Sequence, residues 1–187
     1  MSTRRSRKRK RKRNERKVIE LASLNTGKRE VIEWVCENFS KGSTCLDVGA
    51  CDGKWSYLLG DYLIMDGIEI FEPNIVKHNL QKKYRHVFCA DIRNFQYFHY
   101  DLIIFGDILE HLTVEDAQKV LRYALPRCRE VIVAVPFQWV NRANYGNPFE
   151  FHIQDDLTPE LVKERYPELK PFLIYDRYGY YTKGYLL

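Results

Sequence analysis

The sequence predicts an α/β fold, a doubly wound, mostly parallel seven-stranded sheet with a C-terminal antiparallel hairpin. Three observations predict it. Short apolar runs alternate with stretches of helical periodicity along the chain. Runs such as Tyr100–Gly106 are apolar throughout rather than alternating, as expected of parallel strands covered on both faces. The last two runs, Phe172–Tyr178 and Tyr180–Leu187, have only Gly179 between them, and so tight a connection makes that pair antiparallel.

Each element follows in order. Val18, Ile19 and Ala22 suggest a short helix that breaks near Asn25-Thr26-Gly27. A helix over about 28–39 carries Val31, Ile32, Val35 and Phe39 at 3–4 spacing. Thr44–Gly49 is a buried strand ending in a Gly-containing turn, followed by a helix around 53–60. Leu63–Ile70 is the next strand, and Pro73 suits the first position of a helix running to about Tyr84. His86–Ala90 and Tyr100–Gly106 are strands. Thr113-Val114-Glu115-Asp116 is a capping box that opens a helix to about Leu125. Glu130–Val135 is a buried strand stopped by Pro136. Residues 136–157 lack periodicity and form a long loop, and Thr158-Pro159-Glu160 opens the last helix.

Charge divides the chain. The formal net charge of +5 comes from 30 Lys+Arg and 25 Asp+Glu over 187 residues. Eleven of the basic residues and one acid, Glu15, lie in residues 1–17, giving that stretch +10 and the remainder −5. Residues 1–15 are a like-charge block, expected to be a disordered basic arm, with 16–187 as a single domain. Residues 4–17 suit a polyanion partner, RNA in particular. A nuclear address, an anionic-membrane contact or a solvated tail are the other readings of the arm. Hydrophobic content of 45% supports a real core. No apolar run approaches the roughly 18 residues of a membrane span, and no apolar segment follows the N-terminal charges as in a secretory signal. The five cysteines are dispersed and form no C-x-x-C pair, which argues for a reducing compartment. The expected location is cytoplasmic, or nuclear in a eukaryote.

Ligands of doubly wound sheets bind beyond the carboxyl ends of the strands, so the strand ends are where chemistry is sought. The first ends in Asp47-Val48-Gly49-Ala50-Cys51-Asp52-Gly53, whose glycines let backbone approach a ligand. The second ends at Glu69, a carboxylate about 20 residues past the glycine turn and able to accept from a ribose diol. The third ends in Asp91-Ile92 and the fourth in Gly106-Asp107-Ile108-Leu109-Glu110-His111. A G-x-G-x-x-G dinucleotide motif is absent.

These residues resemble the class I S-adenosylmethionine-dependent methyltransferases over roughly residues 30–187. Cys51 stands where the family motif usually has its central glycine. The resemblance implies that Asp47, Gly49, Cys51 and Gly53 surround the methionine part of S-adenosylmethionine. It implies that Glu69 holds the ribose, with Glu72 as a competitor, that Asp91 and Ile92 hold the adenine, and that Asp107 borders the cofactor. The implied activity is methyl transfer, O-methylation favoured, to RNA or to a small hydroxylated molecule or glycan. The alternative is a non-catalytic nucleic-acid-binding module that keeps the fold.

The acceptor side must be read locally. Asp107, Glu110 and His111 stand at i, i+3, i+4, and a helical turn there would project all three to one face. His152 lies in the long loop at the same edge of the sheet. In one reading His111 is a general base and His152 orients the acceptor. In a second, Asp107, Glu110, His111 and His152 form a mixed carboxylate–imidazole metal site suited to Mn, Fe or Zn. In a third, Glu110 orients the turn and His111 packs under the cofactor. The segment is similar to the Glu-x-x-Glu-His plus distant His set of small-RNA 3′-terminal 2′-O-methyltransferases, with Asp107 in the first position. It also resembles the Glu-His pair of ubiquinone-pathway O-methyltransferases. Phe137, Trp139 and Tyr145 stand out as aromatic residues of the loop, above Trp55 and Phe71, for an acceptor pocket.

Overall fold

The computed structural model describes residues 26–141 and 146–184. The expected helix at 18–22, the basic arm, Tyr145 and the last three residues lie outside them. The elements are α1 (Lys28–Asn38), β1 (Thr44–Val48), α2 (Lys54–Leu59), β2 (Ile64–Glu69), α3 (Glu72–Lys77), β3 (Val87–Cys89), β4 (Tyr100–Gly106), α4 (Val114–Ala124), β5 (Cys128–Pro136), α5 (Pro159–Arg165), β6 (Lys170–Ile174) and β7 (Tyr178–Thr182). Among the described residues no helix is long and apolar enough to cross a membrane.

The strands form one sheet in the order β3-β2-β1-β4-β5-β7-β6. The first five are parallel to their neighbours, while β7 runs antiparallel to both β5 and β6. The continuous apolar strands bury both faces. Leu46, Val48, Ile103, Phe105, Val131 and Val133 pack on one side with Val120 and Leu121 of α4 and with Val162 and Tyr166 near α5. Cys45, Leu102, Ile104, Ile132 and Ala134 pack on the other with Val31 and Val35 of α1, Trp55 of α2 and Ile75 of α3. Two helical layers therefore cover the sheet, and the chain changes layer between β3 and β4, at the point where strand order reverses.

Thr113 caps α4 by accepting from the Asp116 N–H at 3.1 Å, and Thr158 caps α5 by accepting from the Leu161 N–H at 3.2 Å. Both caps match the sequence expectation. The helix opened by Pro73 is shorter than expected: it ends at Lys77 rather than near Tyr84. Asn79 takes a left-handed conformation (φ 51°), which asparagine tolerates, and only a single tight turn follows over Leu80–Lys82. That break frees Tyr84 to reach β1.

The terminal hairpin also differs. Its turn lies at Tyr175–Arg177, closed by the Tyr175 N–H donating to the Tyr178 carbonyl at 2.8 Å, and Gly179 sits inside β7 opposite Val135. A Cβ on Gly179 would lie 2.5 Å from Phe137 Cζ and 2.9 Å from Tyr181 Cε2. The glycine is there for close packing, not for turning. Gly179→Ala should therefore destabilise the fold by ~1–3 kcal/mol through overpacking. Chemical denaturation checks this: a lower midpoint with an unchanged slope is expected, and an unchanged midpoint would show that Phe137 yields freely.

Candidate active site

The reversal of strand order opens a cavity of about 550 Å³ beyond the carboxyl ends of the parallel strands. Its lining includes Gly49, Cys51, Glu69, Asp91, Asp107 and His111. That volume falls in the range typical of small-molecule sites.

The loop after β1 is held in an unusual backbone path. Gly49, Cys51 and Gly53 all have positive φ, at 77°, 44° and 77°. A Cβ on Gly49 would fall 2.1 Å from Ile108 Cδ1, so backbone and the β4 end approach closely there. Glu69 fixes this path. Its Oε2 accepts from the Cys51 N–H and its Oε1 from the Phe71 N–H, each at 2.8 Å. One buried carboxylate thus ties the loops after β1 and β2 together. Burial raises its proton affinity, and the two backbone donors and the Asn74 side chain oppose that rise. Glu72, the competitor, opens α3 instead and is exposed.

Asp47 lies beneath the loop, 1% exposed. Tyr84 donates to its Oδ2 at 2.5 Å, while Oδ1 has no partner among the described residues. Burial is the main reason its pKa rises to about 7, with the Tyr84 bond opposing. At the end of β3, Asp91 reaches the cavity, but Arg93 engages both of its oxygens at 2.5–3.0 Å. Arg93 was not singled out by the sequence.

The segment after β4 corrects one expectation. Leu109–His111 is a single tight turn, and Asp107 adopts φ 58° before it. Asp107 accepts from the Tyr178 hydroxyl and so faces the hairpin. Glu110, His111 and His152 come together, with candidate ligand atoms within 4.8 Å of one another, and Asp107 stands outside that group. The left-handed residue rotates Asp107 off the face that simple helical spacing assigned to it.

The loop carrying His152 is stitched onto this turn. The N–H groups of Ile153 and Gln154 both donate to the Glu110 carbonyl, at 2.7 and 2.9 Å. The buried Gln154 amide donates to the carbonyls of Leu109 and Leu112 and accepts from Tyr166. His111 Nδ1 lies 3.0 Å from the Phe151 carbonyl and His152 Nδ1 lies 2.7 Å from the Trp139 carbonyl. A carbonyl only accepts, so each Nδ1 carries the proton, and in the neutral rings the lone pair sits on Nε2. The rings meet edge to face at 4.8 Å. Burial lowers the His111 pKa. Glu110 is 1% exposed with no partner on either carboxylate oxygen among the described residues, and burial raises its pKa well above normal, helped by the charge of Asp107. Only His111 of the three lines the cavity, so the other two stand behind it.

Of the aromatic residues singled out, Trp55 lines the cavity, Phe137 is buried against the hairpin, and Trp139 is half exposed on the loop. Lys28, Lys54, Tyr178, Tyr84 and Gln154 also build the site. No local motif marks them: Tyr178 and Asp107 are 71 positions apart, and Gln154 sits in an aperiodic stretch.

No protein-family model and no curated relative matches the sequence. Solved structures match in fold. An S-adenosylmethionine-dependent methyltransferase from Clostridium acetobutylicum superposes with a TM-score of 0.63 at 12% identity, covering 81% of this chain and 87% of the other. The magnesium protoporphyrin IX methyltransferase of Synechocystis PCC 6803, solved with bound S-adenosylmethionine, gives 0.59 at 14%, covering 89% and 87%. The N-methyltransferase NodS from Bradyrhizobium japonicum gives 0.59 at 11%, covering 85% and 96%. The architecture is that of the Rossmann-like S-adenosylmethionine-dependent methyltransferases.

Asp47 makes stability depend on pH. Its folded pKa of about 7 lies above that of an unfolded carboxylate near 4, so unfolding releases a proton between these values. The Asp47 contribution to stability therefore falls as pH rises from about 4 to about 7 and is level above. Asp47→Asn removes this loss while keeping an acceptor for Tyr84. Its melting temperature relative to the parent should climb across that window and then plateau; a constant difference would contradict the assignment.

Proposed function

We propose that the chain is an S-adenosylmethionine-dependent methyltransferase that methylates an oxygen of a hydroxylated acceptor, RNA or a small molecule or glycan. The observation that carries the reading is the Gly49–Gly53 loop, held open by Glu69, over a cavity at the reversal of strand order. The residues present fit the cofactor. Positive-φ backbone lets the chain approach the methionine part closely. The Glu69 carboxylate accepts from two backbone N–H groups and from the Asn74 side chain, and its remaining acceptor capacity suits a ribose hydroxyl. Asp91, Ile92 and Arg93 line the same cavity, and in this reading they hold the adenine. Once bound, the cofactor supplies an electrophilic methyl group on its sulfonium.

On the acceptor side His111 is the group placed to take a proton. Its Nδ1–H is committed to Phe151, which orients the ring and leaves basicity at Nε2. His152 and the loop bonds to Glu110 hold it in position.

One observation favours a second reading of the same residues. A buried carboxylate with two unpartnered oxygens beside two Nδ1-protonated imidazoles is a donor set for a divalent cation. Glu110, His111 and His152 would hold it, and it would supply Lewis-acid polarisation of an acceptor oxygen. Asp107, turned to Tyr178, is left out of this set. The basic stretch 4–17 serves in this account to tether the enzyme to a polyanion, without choosing a sequence.

Titration calorimetry tests the reading directly. The purified chain should bind S-adenosylmethionine, and Glu69→Gln should weaken that binding about tenfold or more, the loss of a charge-assisted hydrogen bond or two. No measurable binding by the parent chain would sink the enzyme reading and leave a fold retained for binding nucleic acid. For the metal, EDTA should reduce methyl transfer and His152→Ala should do the same. Full resistance to EDTA, with no metal in the purified protein by elemental analysis, would leave His111 as an unassisted base.

A further inference from the structure

The segment that carries His152 is amphipathic in the inverted sense. Phe149-Glu150-Phe151-His152-Ile153-Gln154 alternates apolar and polar residues, a pattern whose apolar set ordinarily faces the core. Here His152 and Gln154 are 7% and 4% exposed, while Phe149, Phe151 and Ile153 are 43%, 38% and 56% exposed. The polar set is turned in to make bonds: Gln154 donates to the Leu109 and Leu112 carbonyls, and His152 to the Trp139 carbonyl. The apolar set is turned to the cavity, which all three of its members line, and the Phe151 carbonyl is the group that orients His111. Asn147 fixes the segment, its Oδ1 accepting from the Phe149 N–H at 3.0 Å and its Nδ2 donating to Glu150 Oε1 at 2.9 Å. Clustered apolar side chains held out to solvent by such bonds mark a binding surface.

A second feature borders the same cavity. Residues 73–90 hold Lys77, Lys82, Lys83 and Arg85 and no acid, although the chain beyond residue 17 has a net charge of −5. Arg85 is taken by Asp66, and the three lysines are exposed. Lys83 reaches the cavity loop: its ammonium donates to the Asp52 carbonyl at 2.6 Å, and Asp52 is part of the lining. The lining itself carries more acids than cations, so it disfavours a phosphate and admits a neutral ring or sugar. A polyanion at this site therefore keeps its charges outside, on the lysines.

A ligand that matches both features carries repeated negative charge and flat apolar faces. Single-stranded nucleic acid does: its phosphates suit the lysines and its bases stack on aromatic rings. A duplex keeps those faces stacked inside. A neutral glycan leaves the lysines unmatched, and an anionic bilayer meets projecting side chains, whereas these three line a concavity. We propose that this surface docks single-stranded RNA as the acceptor, with an unstacked base on Phe149 and Phe151 beside His111 and the phosphates on Lys77, Lys82 and Lys83. The inference rests on the methyl-transfer reading above, whose hydroxylated acceptor makes the strand RNA, and deepens it by choosing among the acceptors. The basic stretch 4–17 adds charge for the same ligand.

The test is fluorescence anisotropy with the full chain and a labelled RNA of about 12 nucleotides of randomised sequence. The single strand should bind more tightly than its duplex and than inorganic polyphosphate, which has the charge without the bases. Phe149→Ala should weaken the single strand about fivefold or more and leave polyphosphate unchanged, and Phe149→Tyr should keep most of the affinity. Lys77→Gln with Lys82→Gln should flatten the fall of log affinity with log salt by roughly 1.4, two phosphate contacts' worth. Given S-adenosylmethionine with a labelled methyl group, the chain should pass the label to the RNA pool. Equal binding of single strand, duplex and polyphosphate overturns the proposal, as does a single-strand affinity indifferent to Phe149→Ala. Tighter binding to phosphatidylserine vesicles that is lost in Phe149→Ala overturns it too, in favour of a membrane contact. A pool left unlabelled by a chain that binds S-adenosylhomocysteine overturns RNA as the acceptor. Failure of the parent to bind S-adenosylhomocysteine would instead overturn the cofactor reading, and the anisotropy result would still stand on its own.

Discussion

The whole site depends on one constraint, the reversal of strand order between β1 and β4. Two adjacent parallel strands send their chains to helices on opposite faces of the sheet, which leaves a crevice between their carboxyl ends. At the edge of that crevice the chain adopts left-handed backbone. Gly49, Cys51 and Gly53 keep the β1 loop low, and Asp107 turns the β4 loop away with a left-handed residue of its own. Glu69 then stitches the β1 loop to β2. The crevice is a product of topology, and its chemistry is a product of which residues end the strands around it.

The site is also where the fold carries electrostatic cost. Asp47, Glu69, Glu110 and Lys28 are all buried, and none is neutralised by a close ion pair among the described residues. The contrast with Asp66 is instructive. That equally buried acid, remote from the strand ends, takes a bidentate Arg85 at 2.6–2.9 Å and a Tyr100 hydroxyl at 2.9 Å. Asp66 is well partnered, whereas among the described residues Asp47 keeps one carboxylate oxygen without a partner and Glu110 keeps two. Buried polar groups without partners and shifted pKa values concentrate at functional sites more often than elsewhere.

The fold was legible in the sequence because both-face burial leaves continuous apolar strands and because Thr113, Thr158 and Pro159 mark helix starts locally. The strand-end acids were legible for the same reason: Glu69, Asp91 and Asp107 each follow an apolar run. What the sequence hid was backbone handedness and long-range pairing. Asn79 and Asp107 look like ordinary polar residues, yet their positive φ ends one helix early and removes Asp107 from the histidine pair. Gly179 reads as a turn residue because its role, leaving room for Phe137, depends on a side chain 42 positions away. His111 and His152 were paired correctly by sheet edge, but the bonds that hold them together run through main-chain carbonyls and Gln154, which carry no sequence signature.

The central claim is that the cavity at the strand-order reversal is a nucleoside-cofactor site organised by Glu69. A crystal structure of the protein grown with S-adenosylhomocysteine tests it most directly. The account predicts density along the β3-to-β4 row, with the ribose hydroxyls within hydrogen-bond distance of Glu69 and the thioether over the Gly49–Gly53 loop. A nucleoside bound elsewhere, or one whose ribose does not meet Glu69, would contradict it.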